Sequence, residues 1–180
     1  MSPIPAPAKK SSSQELSDSL ARGYGGAFDE AVVGADAVEH TASPVILNYS
    51  GVPQADIKGT IGIPESIKRH GPGVKRVVIT SSYAAVVTPK TPPLGQEFET
   101  IDESDWNTLS TRLVEEKGEN AGSTHIYRAS KALAERTAWD FVDKNKRSIG
   151  FDLVTVLPPI VYGPGIHEVT SSLGASLDLF

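Results

Sequence analysis

The chain has 180 residues and carries 17 Lys and Arg against 22 Asp and Glu, so its net charge of −5 argues against a nucleic-acid partner. It contains no cysteine, which excludes disulfides and thiolate metal sites, and its four histidines are isolated, so no metal site is expected. No apolar run approaches a membrane span and no secretory signal opens the sequence, so we expect a cytoplasmic protein that does not bind membranes.

The first part of the chain predicts a tail and then alternating elements. Residues 1–14 are rich in Pro, Ser and Lys without an apolar period, which predicts a disordered tail before one domain over 15–180. "GADAVEHTASP" (34–44) indicates a short strand that ends at His40. Residues 54–71 have helical spacing of isoleucines, with Pro64 expected to start or kink the second part.

The second part predicts two more strands and the longest helix. "VKRVVITSS" is typical of a buried strand over 75–81, and a short helix is expected around "ESDWNTLSTRLVEE". Residues 125–145 form an amphipathic helix, in which Trp139 is expected to pack in the core. A last strand over 152–158 ends at its own prolines. This alternation predicts an α/β fold, an incomplete Rossmann-like parallel sheet flanked by helices.

Two patterns could carry chemistry. Tyr127 and Lys131 are four residues apart and share one face at the start of the long helix. A nearby ammonium stabilises a phenolate, so this pair could donate a proton to a carbonyl oxygen, which Ser82 could orient. The alternative is a solvated lysine beside a tyrosine at the rim, with Ser81 and Ser82 only satisfying backbone groups where the strand stops.

Residues 27–168 resemble the middle of the extended short-chain dehydrogenase/reductases, in the branch of dihydroflavonol, cinnamoyl-CoA and fungal aldehyde and ketone reductases. The resemblance rests on "AFDEAVVGADAVEHTASP", "VKRVVITSS", "DESDW", "YRASKALAERTAW" and "FDLVTVLPPIVYGP". It implies NADPH-dependent reduction of an aldehyde or ketone to an alcohol, with NAD not excluded as the cofactor. A small carbonyl compound would be the substrate.

The resemblance also implies site residues. Ser82, Tyr127 and Lys131 would form the catalytic set, with Tyr127 as the proton donor and Lys131 also holding the nicotinamide ribose. The cofactor would contact Tyr127 and Lys131 and lie along a second group of residues: Thr41, Ala42, Ser43, Pro158, Pro159, Ile160 and Val161.

The sequence departs from the family pattern at both ends. The glycine-rich strand–turn–helix that binds pyrophosphate in this fold is not found, nor is the C-terminal substrate region, so 15–180 is expected to be a partial domain of a truncated protein. Two alternatives therefore stay open. One is an inactive remnant that interacts with a full-length homologue or with itself, and the weaker one is a nucleotide-sugar epimerase or dehydratase.

Overall fold

The computed structural model describes residues 26–41, 54–88 and 100–161. The predicted tail over 1–14 lies outside these described residues, as do Ala42 and Ser43 of the predicted cofactor loop. Within the three described ranges, none of the helices combines the length and the apolar character needed to cross a lipid bilayer.

Three short strands form one parallel sheet in the order β1-β2-β3: β1 is Ala37–His40, β2 is Arg76–Thr80 and β3 is Asp152–Val156. Val77 in the centre pairs with Val38 on one side and with Leu153 on the other. The three strands lie within the ranges predicted from their apolar runs, and the predicted parallel sheet flanked by helices is confirmed.

Three helices connect these strands. Helix α1 (Gln54–His70) joins β1 to β2, while α2 (Thr108–Lys117) and α3 (Ser123–Asn145) lie between β2 and β3. Pro64 was expected to start or kink the second part of this helix, and the first of these alternatives was wrong, because α1 runs continuously through it. Ile63 and Ile67, on either side, are buried in the core, so packing holds both halves of α1 on one surface despite the missing N–H.

The core lies between the sheet and the helices α1 and α3. Its buried members are Val32, Ile63, Ile67, Val74, Val77, Ile79, Ala138, Phe151 and Leu153. The amphipathic character predicted for α3 agrees with Ala134 and Ala138, which lie four residues apart and are buried. Trp139, however, is 36% exposed, which corrects the prediction that it packs in the core. One residue turns an α-helix by about 100°, so the residue after fully buried Ala138 is directed away from the sheet.

One face of the sheet lacks a helical cover among the described residues. The chain passes from β1 to β2 to β3 in one direction across the sheet. Right-handed crossovers then place α1 and α3 on the same side of the sheet, where both contribute to one core. Along β3, Leu153 is 8% exposed while Val154 and Val156 are 39% and 48% exposed. We call the second surface, with Val78, Val154 and Val156, the open face.

A hydrogen bond and two ion pairs join the segment before β1 to the end of α1. Asp29 accepts a hydrogen bond from Ser66 Oγ at 2.6 Å and lies 3.4 Å from Arg69 and 3.2 Å from His70. The Ser66 hydrogen bond, followed by the positive charges of Arg69 and His70, lowers the pKa of Asp29 below the ordinary value of 3.8. Folding therefore favours the ionised form of the Asp29 carboxyl group.

Candidate functional site

The carboxyl ends of all three strands meet at one edge of the sheet, as they must in a parallel arrangement. Two backbone hydrogen bonds hold β2 and β3 together beyond their last paired residues. Ser81 N donates to Val156 O at 2.8 Å, and Tyr83 N donates to Pro158 O at 3.1 Å. The segments that follow β2 and β3 are thus fixed side by side, at the position where open α/β sheets bind ligands.

Ser82 lies at this edge with an extended backbone, φ −156° and ψ 144°, and caps the short 3-10 helix Tyr83–Ala85. Its Oγ accepts a hydrogen bond from Ala84 N at 3.2 Å. Ser82 therefore satisfies a backbone N–H group just after the strand stops, as the alternative to a catalytic role predicted. The same Oγ also accepts from the Tyr127 hydroxyl at 3.5 Å, the outer limit of a hydrogen bond. Both bonds use the oxygen as acceptor, so neither uses the proton of Ser82.

Tyr127 and Lys131 lie on consecutive turns of α3, and the Lys131 ammonium is 5.6 Å from the centre of the Tyr127 ring. Lys131 is only 7% exposed, and Ala129 and Ala132 beside it on α3 are also buried. The structure therefore brings the three residues of the predicted catalytic set into one cluster at the sheet edge.

Asn107 holds the loop after β2 in place. Its side chain is fully buried and donates to Ala84 O at 3.0 Å and to Val87 O at 2.8 Å. Its Oδ1 caps α2 by accepting from Ser110 N at 3.0 Å. Through these bonds the first turn of α2 supports the loop that begins with Ser82. No sequence argument had singled out Asn107, although Asn before a helix is a recognisable cap signal.

The other predicted site residues are divided by the structure. Thr41 directly follows β1 and is exposed at the same edge of the sheet. Beyond β3, Pro158 is half-buried, whereas Pro159, Ile160 and Val161 are exposed. This places the described members of the predicted cofactor group on the same side of the sheet as Ser82. Ala42 and Ser43 lie outside the described residues.

The contact between Ser81 and the buried Glu135 was not predicted from the sequence. Glu135 on α3 is 4% exposed and accepts a hydrogen bond from Ser81 Oγ at 2.5 Å. Its position, one turn after Lys131 on the same helical face, was a usable signal, since a carboxylate four residues from a buried lysine shares its environment.

Known proteins resemble this chain in sequence, although no protein-family model matches it. A ketoreductase, azaE, of Aspergillus niger is 44% identical over 154 residues, which are 81% of this chain and 41% of the relative. A cinnamoyl-CoA reductase, CAD2, of Medicago truncatula is 37% identical over 160 residues, covering 84% and 43% of the two chains. The chain thus spans less than half the length of these relatives.

Solved structures show the same relationship in three dimensions. Yeast Gre2, a methylglyoxal/isovaleraldehyde reductase complexed with NADPH, superposes with a TM-score of 0.67 at 30% identity, covering 81% of this chain and 43% of its own. Gre2 of Candida albicans, also complexed with NADPH, gives a TM-score of 0.68 at 34% identity over 86% and 46% of the two chains. Over the part that it shares with them, this chain belongs to the reductase family that its motifs resemble.

Proposed function

We propose that this chain is part of an NADPH-dependent oxidoreductase that reduces an aldehyde or a ketone to an alcohol. The observation that carries the proposal is the cluster of Ser82, Tyr127 and Lys131 at the carboxyl edge of the sheet. The relatives support it, since they include a ketoreductase and an NADPH-dependent methylglyoxal reductase of Saccharomyces cerevisiae.

The side chains divide the reaction between them. Tyr127 donates its phenol proton to the carbonyl oxygen as negative charge develops there, and Ser82 donates a hydrogen bond to the same oxygen. Lys131 stabilises the phenolate that Tyr127 leaves behind and holds the ribose of the cofactor. The nicotinamide, when bound, supplies hydride to the carbonyl carbon, so that hydride and proton together give the alcohol.

The described residues fit one half of the cofactor. Thr41 follows β1 and the segment from Pro158 to Val161 follows β3, so both lie at the carboxyl edge of the sheet, where Tyr127 contacts Ser82. A nicotinamide and its ribose bound along this edge would be near the phenol. In this fold the pyrophosphate is bound by a glycine-rich turn before a helix, and this sequence shows no such motif. An inactive remnant is the other candidate function.

Binding and turnover separate the two candidates. The purified chain is titrated with NADPH by calorimetry, and its oxidation of NADPH is followed with methylglyoxal as substrate. Tyr127→Phe is expected to lower turnover by at least about 10²-fold while changing NADPH affinity little, since only the proton donor is removed. Tyr83→Phe is the matched control, because it deletes a phenol from the adjacent loop.

Each outcome of this experiment has a meaning. Turnover that Tyr127→Phe abolishes and Tyr83→Phe keeps supports the reductase. Binding of NADPH without turnover, or no binding at all, supports the remnant. Turnover that survives in Tyr127→Phe contradicts the assigned role of this residue.

We also propose that the chain self-associates and that it resides in the cytoplasm. The open face supports self-association, because Val154 and Val156 expose apolar surface on a parallel sheet that ordinarily is covered on both sides. Sedimentation of the purified chain over a range of concentrations tests this. A monomer at all concentrations would contradict it.

A further inference from the structure

The buried carboxylate of Glu135 is not used by the proposed reaction. It lies on α3, two turns beyond Tyr127, with 4% of its residue surface exposed. Ionisable side chains are seldom buried to this extent without a dedicated partner. Here the partner is Ser81, whose Oγ donates a short hydrogen bond of 2.5 Å to Oε2.

The position of Ser81 gives this bond a mechanical role. Its backbone N–H is already fixed to Val156 of β3, and the next residue along the chain is Ser82. The Ser81–Glu135 bond therefore joins α3 to the end of β2 immediately beside the serine of the proposed catalytic set. Near Glu135 the buried residues Ala132, Ala134 and Ala138 of α3 offer only apolar packing, while Arg128, two turns earlier, donates to Val87 O at 3.3 Å.

The two reacting groups need such a restraint. Ser82 belongs to the strand end and Tyr127 to the helix, and their oxygens are 3.5 Å apart. A small slide of the helix along the sheet would change that distance. The short hydrogen bond between Ser81 and Glu135 joins the strand end to the helix, and so it limits such a slide.

We propose that Glu135 is a positioning residue, which holds the Tyr127 hydroxyl in register with Ser82 by binding Ser81. The inference rests on the proposed function for its catalytic meaning. It names a group that acts through Ser81 and does not itself touch the substrate. The hydrogen bond is the essential part, so an amide oxygen at this position can replace the carboxylate.

Two measurements on the full chain test the proposal. The first is the carbon-13 NMR signal of the Tyr127 ring in tyrosine-labelled protein, identified by its loss in Tyr127→Phe. It reports the surroundings of the phenol whether or not the chain is active. The second is turnover of NADPH with methylglyoxal, resolved into kcat and KM.

Glu135→Ala and Ser81→Ala are expected to shift the Tyr127 signal similarly and to lower kcat by about 10-fold or more with little change in KM. Combining both substitutions is expected to add nothing, because each breaks the same bond. Glu135→Gln is expected to keep the wild-type signal and kcat within about 3-fold. Asp140→Asn, on the exposed side of α3, is the matched control and should change neither.

The proposal fails if Glu135→Ala leaves the Tyr127 signal and kcat unchanged in a folded chain, which would leave Glu135 a purely structural role. It also fails if Glu135→Gln behaves like Glu135→Ala. If Glu135→Ala does not fold, Ser81→Ala and Glu135→Gln carry the test. A shifted signal in a chain without turnover supports the positioning and contradicts the proposed function, so the two can be told apart.

Discussion

Replacing Asn107 by alanine should destabilise the fold strongly, because this one side chain serves two elements. The substitution removes two donated hydrogen bonds, to Ala84 O and Val87 O, and one accepted from Ser110 N. At about 1 kcal/mol for each bond, the expected loss is about 3 kcal/mol of the free energy of unfolding. The fully buried position adds to the cost of leaving the carbonyls without a donor.

Asn107→Ser separates the two roles. Serine still caps α2 but cannot reach the two carbonyls of the loop, so we expect a loss of about 2 kcal/mol. Thr108→Ala, on the exposed side of the first turn, is the control and should stay within about 0.5 kcal/mol.

Urea denaturation followed by circular dichroism measures all three variants. If the wild type is itself stable by less than the predicted loss, Asn107→Ala will be unfolded without urea, which is the same result. The reasoning is refuted if Asn107→Ala loses less than about 1 kcal/mol, or if the serine variant loses as much as the alanine variant.

Three other predictions follow from the sequence and the structure. The purified chain should bind NADPH about 100-fold more weakly than a complete reductase, a loss of about 3 kcal/mol, and micromolar binding by a monodisperse monomer would contradict this. Because folding lowers the pKa of Asp29, its contribution to stability is complete above the ordinary value of 3.8 and is lost as pH falls through the lower folded value. Acid unfolding should therefore be less steep in Asp29→Asn, and equal profiles would exclude that role. Val77→Ala should cost about 2 to 3 kcal/mol in urea denaturation while Val33→Ala costs less than about 0.5, since Val77 is fully buried and Val33 is 65% exposed.

The sheet was predictable because its strands carry strong local signals. A short apolar run such as Val77 to Ile79, in a chain of alternating elements, predicts a buried strand. The parallel pairing of such strands follows from the helices that connect them. The continuity of α1 through Pro64 was not predictable from propensity. It depends on the core contacts of Ile63 and Ile67, which only the assembled sheet provides.

The site was predictable where motif and helical periodicity coincide. Tyr127 and Lys131 are four residues apart on one helix, so their common face follows from the sequence alone. The bonds of Ser81 to Glu135 and of Asn107 to Ala84 join residues 54 and 23 positions apart. Such contacts depend on how the helices pack on the sheet, and the spacing of neighbouring residues in the sequence does not determine that packing.

The proposed catalytic set lies within a single crossover, which has a consequence for how this site forms during folding. Ser82 and Tyr127 are 45 residues apart, and both fall between β2 and β3. Their approach therefore requires one loop closure, whose entropy cost grows only slowly with length. The same event pairs β2 with β3 and docks α3 on them. We therefore expect assembly of the site to be coupled to the pairing of β2 with β3.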